Sequence, residues 1–139
     1  MKNYFLVLLA VLISSCDPTD NNGIYTVRNS SSKPIKFKAI WQGQPTNVPY
    51  IINLKVGEEL TKYFTDRGPG TRYSFQEFFE GDKLTIIYNN EKYIIFTFGA
   101  FDDNKNNPLN VSVYNGREET YIIKDEYFAN AMPCDANCD

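Results

Sequence analysis

From residue 24 onward, apolar and polar side chains alternate with a period close to two. In residues 34–41, Ile35, Phe37, Ala39 and Trp41 fall on one face, and Lys36 and Lys38 on the other. Successive side chains of a strand point to opposite faces, so this run predicts a half-buried strand with Trp41 in the core. Residues 24–29, 50–54 and 59–64 are further strands, rich in β-formers, with a turn at Val56-Gly57-Glu58. Residues 71–79 could form a strand or a single helical turn. The partial alternation at Tyr73 and Phe75 favours a strand that ends before Gly81-Asp82.

The clearest hairpin joins residues 83–88 to residues 91–98 through Asn89-Asn90, because asparagine tolerates the left-handed backbone of a tight turn. Both arms are apolar on two faces in places, which places them centrally in a covered sheet. A second hairpin is expected at residues 111–116, with Asn115-Gly116 as its turn and residues 120–123 returning. Asp125 is placed to cap a short helix running to Ala131, with Glu126 in its first turn.

About seven or eight short strands with regular turn signals fit an all-β fold. The favoured arrangement is a single antiparallel β-sandwich of immunoglobulin-like character with a short C-terminal helical turn. A small lipocalin-like barrel is the alternative. The 139 residues suit one domain, and 42% hydrophobic with 15% aromatic residues can fill its core. No internal repeat or second linker breaks the chain.

The beginning of the chain follows a different rule. Lys2 precedes an unbroken apolar stretch over residues 4–13, too short to span a bilayer comfortably. Ser14, Ser15 and Cys16 follow, the layout of a secretory signal peptide. Leu12-Ile13-Ser14-Ser15-Cys16 resembles the lipobox of bacterial lipoproteins. That resemblance implies a diacylglycerol on the Cys16 sulfur and cleavage just before it. Several acyl chains anchor firmly, since each buried methylene adds about 0.8 kcal/mol. The expected organisation is a signal peptide at 1–15, a lipidated cysteine and polar tether at 16–23, and the sandwich at 24–139. Asp17 and Asp20 in the tether resemble the acidic surface-export signal of Bacteroidetes lipoproteins. Asp17 directly after the cysteine also matches an inner-membrane retention signal of enteric bacteria, so the leaflet stays open.

The second half of the chain resembles small uncharacterised lipoproteins of flavobacteria and related Bacteroidetes. The resemblance is carried by Gly81-Asp82-Lys83-Leu84, Asn107-Pro108-Leu109-Asn110, and Thr120-Tyr121-Ile122-Ile123 followed by Asp125-Glu126-Tyr127. It implies an anchored all-β protein and lends no activity.

Charge and composition narrow the chemistry. The chain has 14 basic and 17 acidic residues and no histidine. The missing histidine excludes Ser–His–Asp and Cys–His nucleophiles and histidine metal sites. The mild acidic excess without basic runs argues against nucleic acid as partner. The doublets Glu58-Glu59, Asp102-Asp103 and Glu118-Glu119 read as solvated turn charges, because adjacent strand residues face opposite ways. Asp102, Asn104 and Asn106 have the alternate spacing of a calcium loop. However, Asn107 and Val113 stand where an EF-hand needs glycine and glutamate.

Cys134 and Cys138 suit a terminal disulfide in an oxidising compartment, with free thiols as the alternative. Metal binding there would need further soft ligands. Gly68-Pro69-Gly70 between Arg67 and Arg72 reads as a turn, since it lacks the lysine and the strand–loop–helix context of a phosphate loop. Asn29-Ser30-Ser31 and Asn110-Val111-Ser112 match the glycosylation sequon by pattern only.

These readings point to a lipid-anchored envelope protein, at the outer membrane in the favoured case, with no cofactor. Its expected partners are the membrane, through Cys16, and an envelope protein or glycan. The role is binding or structural. The alternative is a carboxylate-dependent glycan-acting enzyme or an enzyme inhibitor.

Overall fold

A computed structural model describes residues 22–44, 48–65, 72–99, 104–135 and 138. These form strands β1 (Gly23–Asn29), β2 (Ile35–Ile40), β3 (Tyr50–Leu54), β4 (Glu59–Phe64), β5 (Lys83–Tyr88), β6 (Lys92–Thr97), β7 (Glu118–Ile123) and β8 (Met132–Pro133). Two short helices complete them, α1 (Phe75–Phe79) before β5 and α2 (Asp125–Ala129) before β8. The strands make two sheets, ordered β4-β1-β7 and β3-β2-β5-β6-β8. The fold is an all-β sandwich. Among the described residues each sheet ends in two edge strands that do not pair with each other, so neither closes into the alternative barrel.

Alternation explains the layering. In β1, Tyr25 and Val27 point inward, in β2 Ile35, Phe37 and Ala39, and in β7 Tyr121 and Ile123. These meet in one buried cluster with Leu84, Ile86 and Tyr88 of β5. Helix α1 adds Phe75, Phe78 and Phe79, all fully buried, and Phe75 meets Tyr25 edge-on at 5.1 Å. Gly81 lets the chain pass from α1 to β5, because a Cβ there would stand 2.7 Å from the Ile40 carbonyl oxygen. The β5–β6 hairpin forms as expected, with Asn89 (φ 49°) and Asn90 (φ 55°) in the left-handed region. Strand β5 is central between β2 and β6.

Four expectations are corrected. Residues 75–79 are helical, and the reason is local. The Ser74 hydroxyl accepts from the Gln76 amide, while the Glu77 carboxylate accepts from the Ser74 amide at 2.9 Å, a capping box that satisfies free amides at the helix start. Residues 111–114 are turns and form no hairpin arm. Asn107 and Asn110 use their side-chain oxygens to accept from the Leu109 and Ser112 amides, which diverts the backbone from ladder pairing. Strand β7 therefore pairs with β1, in parallel, the one parallel pairing among otherwise antiparallel neighbours of the described residues.

Asp125 does not cap its own helix, which runs Asp125–Ala129 with Lys124 at the N-cap position. Its carboxylate instead accepts from the Ser32 amide (2.7 Å) and hydroxyl (2.9 Å), tying α2 to the β1–β2 loop and holding its pKa below the usual aspartate value. Trp41 lies beyond the end of β2 and is 40% exposed, so it is not a core residue. The strand face it would share ends at Ala39, because the backbone turns at Gln42 and Gly43.

Candidate functional site: two outward faces and two clefts

Register assembles the outer face of the larger sheet. Lys36 stands beside Asn53 on β3 and Ile87 on β5, and Lys38 beside Ile51 and Thr85. Ile40 opposes Lys83, whose β6 neighbour is Thr97. Tyr93 and Ile95 complete β6, and Met132 on β8 lies next to Tyr93. The lysines follow a ridge with steps of about 7 Å, the span of two strand residues or of one diagonal neighbour. None of these outward positions carries a carboxylate. Lys38 and Lys83 make no ion pair among the described residues. Ile51, Ile95 and Met132 are exposed around the ridge. At one corner, Ile87 floors a groove of about 190 Å³ rimmed by Lys36, Lys55, Asn53 and Asn89.

The outer face of the smaller sheet is its opposite in character. A row of threonines, Thr61, Thr26 and Thr120, runs across it, with Thr26 and Thr61 sharing a hydrogen bond of 2.8 Å. Arg28 is paired with Glu59 at 2.7 Å, leaving Glu118 as the unmatched charge of that face among the described residues.

A second cleft, about 360 Å³, opens where α1 begins, between Arg72, Gln76, Phe98, Tyr114 and Asn115. Glu77 is its one carboxylate among the described lining residues, and its oxygen already serves the Ser74 amide and hydroxyl. Burial pushes the Tyr114 phenol up to about 12, helped by Tyr127 and Glu119, and its hydroxyl donates to the Lys105 carbonyl at 2.7 Å. That phenol stays protonated at neutral pH and acts as a structural donor.

The residues singled out from the sequence are dispersed. Cys16 lies outside the described residues, as do Asp102, Asp103 and Gly68-Pro69-Gly70. Of the calcium candidates, Asn104 turns its side-chain oxygen to the Asn106 amide at 3.0 Å, and the Asn106 carbonyl accepts from Tyr121. No cluster of three or more metal-ligating acidic or cysteine side chains occurs among the described residues. Glu58 accepts from the Lys55 amide in its own turn, Glu59 pairs with Arg28, and Glu119 accepts from the Gly116 amide. Glu58 and Glu119 thus serve turns, and Glu59 a cross-strand pair. Cys134 and Cys138 are joined at a Cα–Cα distance of 5.5 Å.

Both sequon asparagines are buried. Asn29 donates to the Lys33 and Lys55 carbonyls and accepts from Ser31, fastening two turns to the end of β1. The lysine ridge escaped the sequence because Lys83 is far from Lys36 and Lys38 along the chain. The available signal was the strict alternation of lysine with core residues in β2.

Comparison with known families, with curated proteins and with solved structures finds no match to this chain. Among the described residues, no helix is long and apolar enough to cross a membrane.

Proposed function

We propose that this chain is a lipid-anchored module of a bacterial cell envelope, at the outer membrane, that acts by binding and not by catalysis. The observation that carries the binding role is the outward face of the larger sheet. It gathers three lysines and exposed aliphatic side chains without a carboxylate, in a chain whose net charge is −3. The anchor is supported by the lipobox-like ending at Cys16 and by the polar stretch between it and β1. Against glycan hydrolysis stands the use already made of the carboxylates. That chemistry needs two of them facing each other about 5–10 Å apart. Glu77 in the larger cleft is committed to its capping box, and Glu58, Glu59 and Glu119 to local bonds.

Labelling with radioactive palmitate in the native cell tests the anchor. The parent chain should incorporate label and fractionate with membranes, and Cys16→Ala should lose both. Undiminished labelling of the Cys16→Ala chain would sink the reading.

A further inference from the structure

We infer that the outward face of the five-stranded sheet lies flat against an anionic membrane surface, with the lysine ridge over the headgroups and Ile51, Ile95 and Met132 at the interface. The inference rests on the lipid-anchored reading and adds to it which side of the domain meets the bilayer.

Charge complementarity selects this face over the other. Lys36, Lys38 and Lys83 share it with no carboxylate at any outward strand position. The opposite face has its one arginine neutralised by Glu59 and keeps Glu118 in excess. An anionic surface attracts the first and repels the second. Lysine suits this position physically, since its alkyl stem covers apolar surface while its ammonium reaches the headgroups. Ile87 fits the same picture, being fully buried on the outward side. Tyr93 beside Met132 gives the β6–β8 edge an amphipathic rim of the type that favours the interface.

The length of the tether allows the pose. Six residues, 17–22, and hence seven Cα steps, separate the lipid-bearing position from β1. Extended, they span at most about 25 Å. Strand β1 belongs to the smaller sheet, and packed sheets lie about 10 Å apart. The acyl chains can therefore sit in the bilayer while the far side of the larger sheet rests on it. Near an anionic leaflet each lysine strengthens binding by about 5-fold.

The test uses the full chain, extracted from its own membranes and reconstituted on vesicles of phosphatidylglycerol or of phosphatidylcholine. Flotation reports anchoring. Acylation of lysine amines by a water-soluble reagent, read residue by residue by mass spectrometry, reports the face. On phosphatidylglycerol, Lys38 and Lys83 should react about 5-fold more slowly than on phosphatidylcholine, and added salt should abolish the difference. Lys124, exposed at the N-cap of α2, should be unchanged and serves as the internal reference. A chain that floats on both vesicles with Lys38 and Lys83 equally reactive overturns the inference and leaves the anchor standing. Flotation on phosphatidylglycerol alone, lost in Lys38→Glu/Lys83→Glu, supports the face and refutes the lipid on Cys16. Flotation on neither refutes both. Protection by a soluble acidic polysaccharide but not by vesicles overturns the inference in favour of a glycan partner.

Discussion

The hydroxyl of Tyr25 lies between two carbonyls, those of Tyr73 (2.5 Å) and Gly116 (2.9 Å), and joins loops 48 and 91 residues away in sequence. Tyr88, equally buried, has no hydrogen-bond partner for its hydroxyl among the described residues. A buried polar group left unmatched costs free energy, whereas removing a matched one orphans its partners. Tyr25→Phe should therefore cost roughly 1–2 kcal/mol, and Tyr88→Phe should be neutral or stabilising, as read by urea unfolding. A Tyr88→Phe chain less stable than Tyr25→Phe would refute this account. Burial, then Glu119 and Glu77, pushes the Tyr25 phenol from the ordinary value of 10 up to about 12. The folded chain holds this proton more tightly than the unfolded one, so the contribution is complete below pH 10 and is lost as pH rises towards 12. Alkaline titration monitored by tyrosinate absorbance should show this loss, and Tyr25→Phe should remove its share.

At the scale of elements, α1 shows how a short local signal outweighs a pattern. Its five residues are too few for a stable isolated helix. They hold because Ser74 and Glu77 satisfy the first amides and because Phe75, Phe78 and Phe79 are inserted into the core. Ser74→Ala should cost about 1 kcal/mol in thermal or chemical unfolding, and Glu77→Gln, which keeps an acceptor, should cost less. Equal losses in both variants would place the stabilisation elsewhere. The Ser74-x-x-Glu77 spacing was legible in the sequence, but the alternation of Tyr73 and Phe75 pointed to a strand. Strand β2 was legible because its faces alternate over six residues, and β5 and β6 because two apolar runs flank an asparagine turn that has few alternatives. The segment at 111–116 misled for the opposite reason. Asn115-Gly116 favours a hairpin turn, but Asn107 and Asn110 had already committed the preceding backbone to side-chain-closed turns.

At the scale of the whole molecule, what remained hidden is partnership. Period-two alternation shows that Lys36 and Lys38 face away from the core, yet nothing local says that Lys83 will stand beside them or that no acid will. That follows from β2 choosing β5, a pairing across more than forty residues. The parallel union of β1 with β7 is equally non-local, and it closes the smaller sheet with residues from both ends of the domain. The C-terminal segment is held more lightly. Strand β8 pairs with β6 through only two residues, and the Cys134 amide donates to the Glu91 carbonyl at 3.0 Å. Neither Cys134 nor Cys138 belongs to the core cluster, and their bond closes a loop of sequence separation 4. A cross-link stabilises mainly by restricting the unfolded chain, and a loop this short restricts it little, by about 2 kcal/mol at most. Cys134→Ser/Cys138→Ser should thus leave the near-ultraviolet signal of the buried aromatics intact and speed amide exchange chiefly around Met132 and Cys134. Peptide mapping of the parent chain without reductant should recover the two cysteines joined. Two alkylatable thiols there, or loss of the aromatic signal in the double variant, would show that this end of the chain does something other than fasten β8 to the sheet.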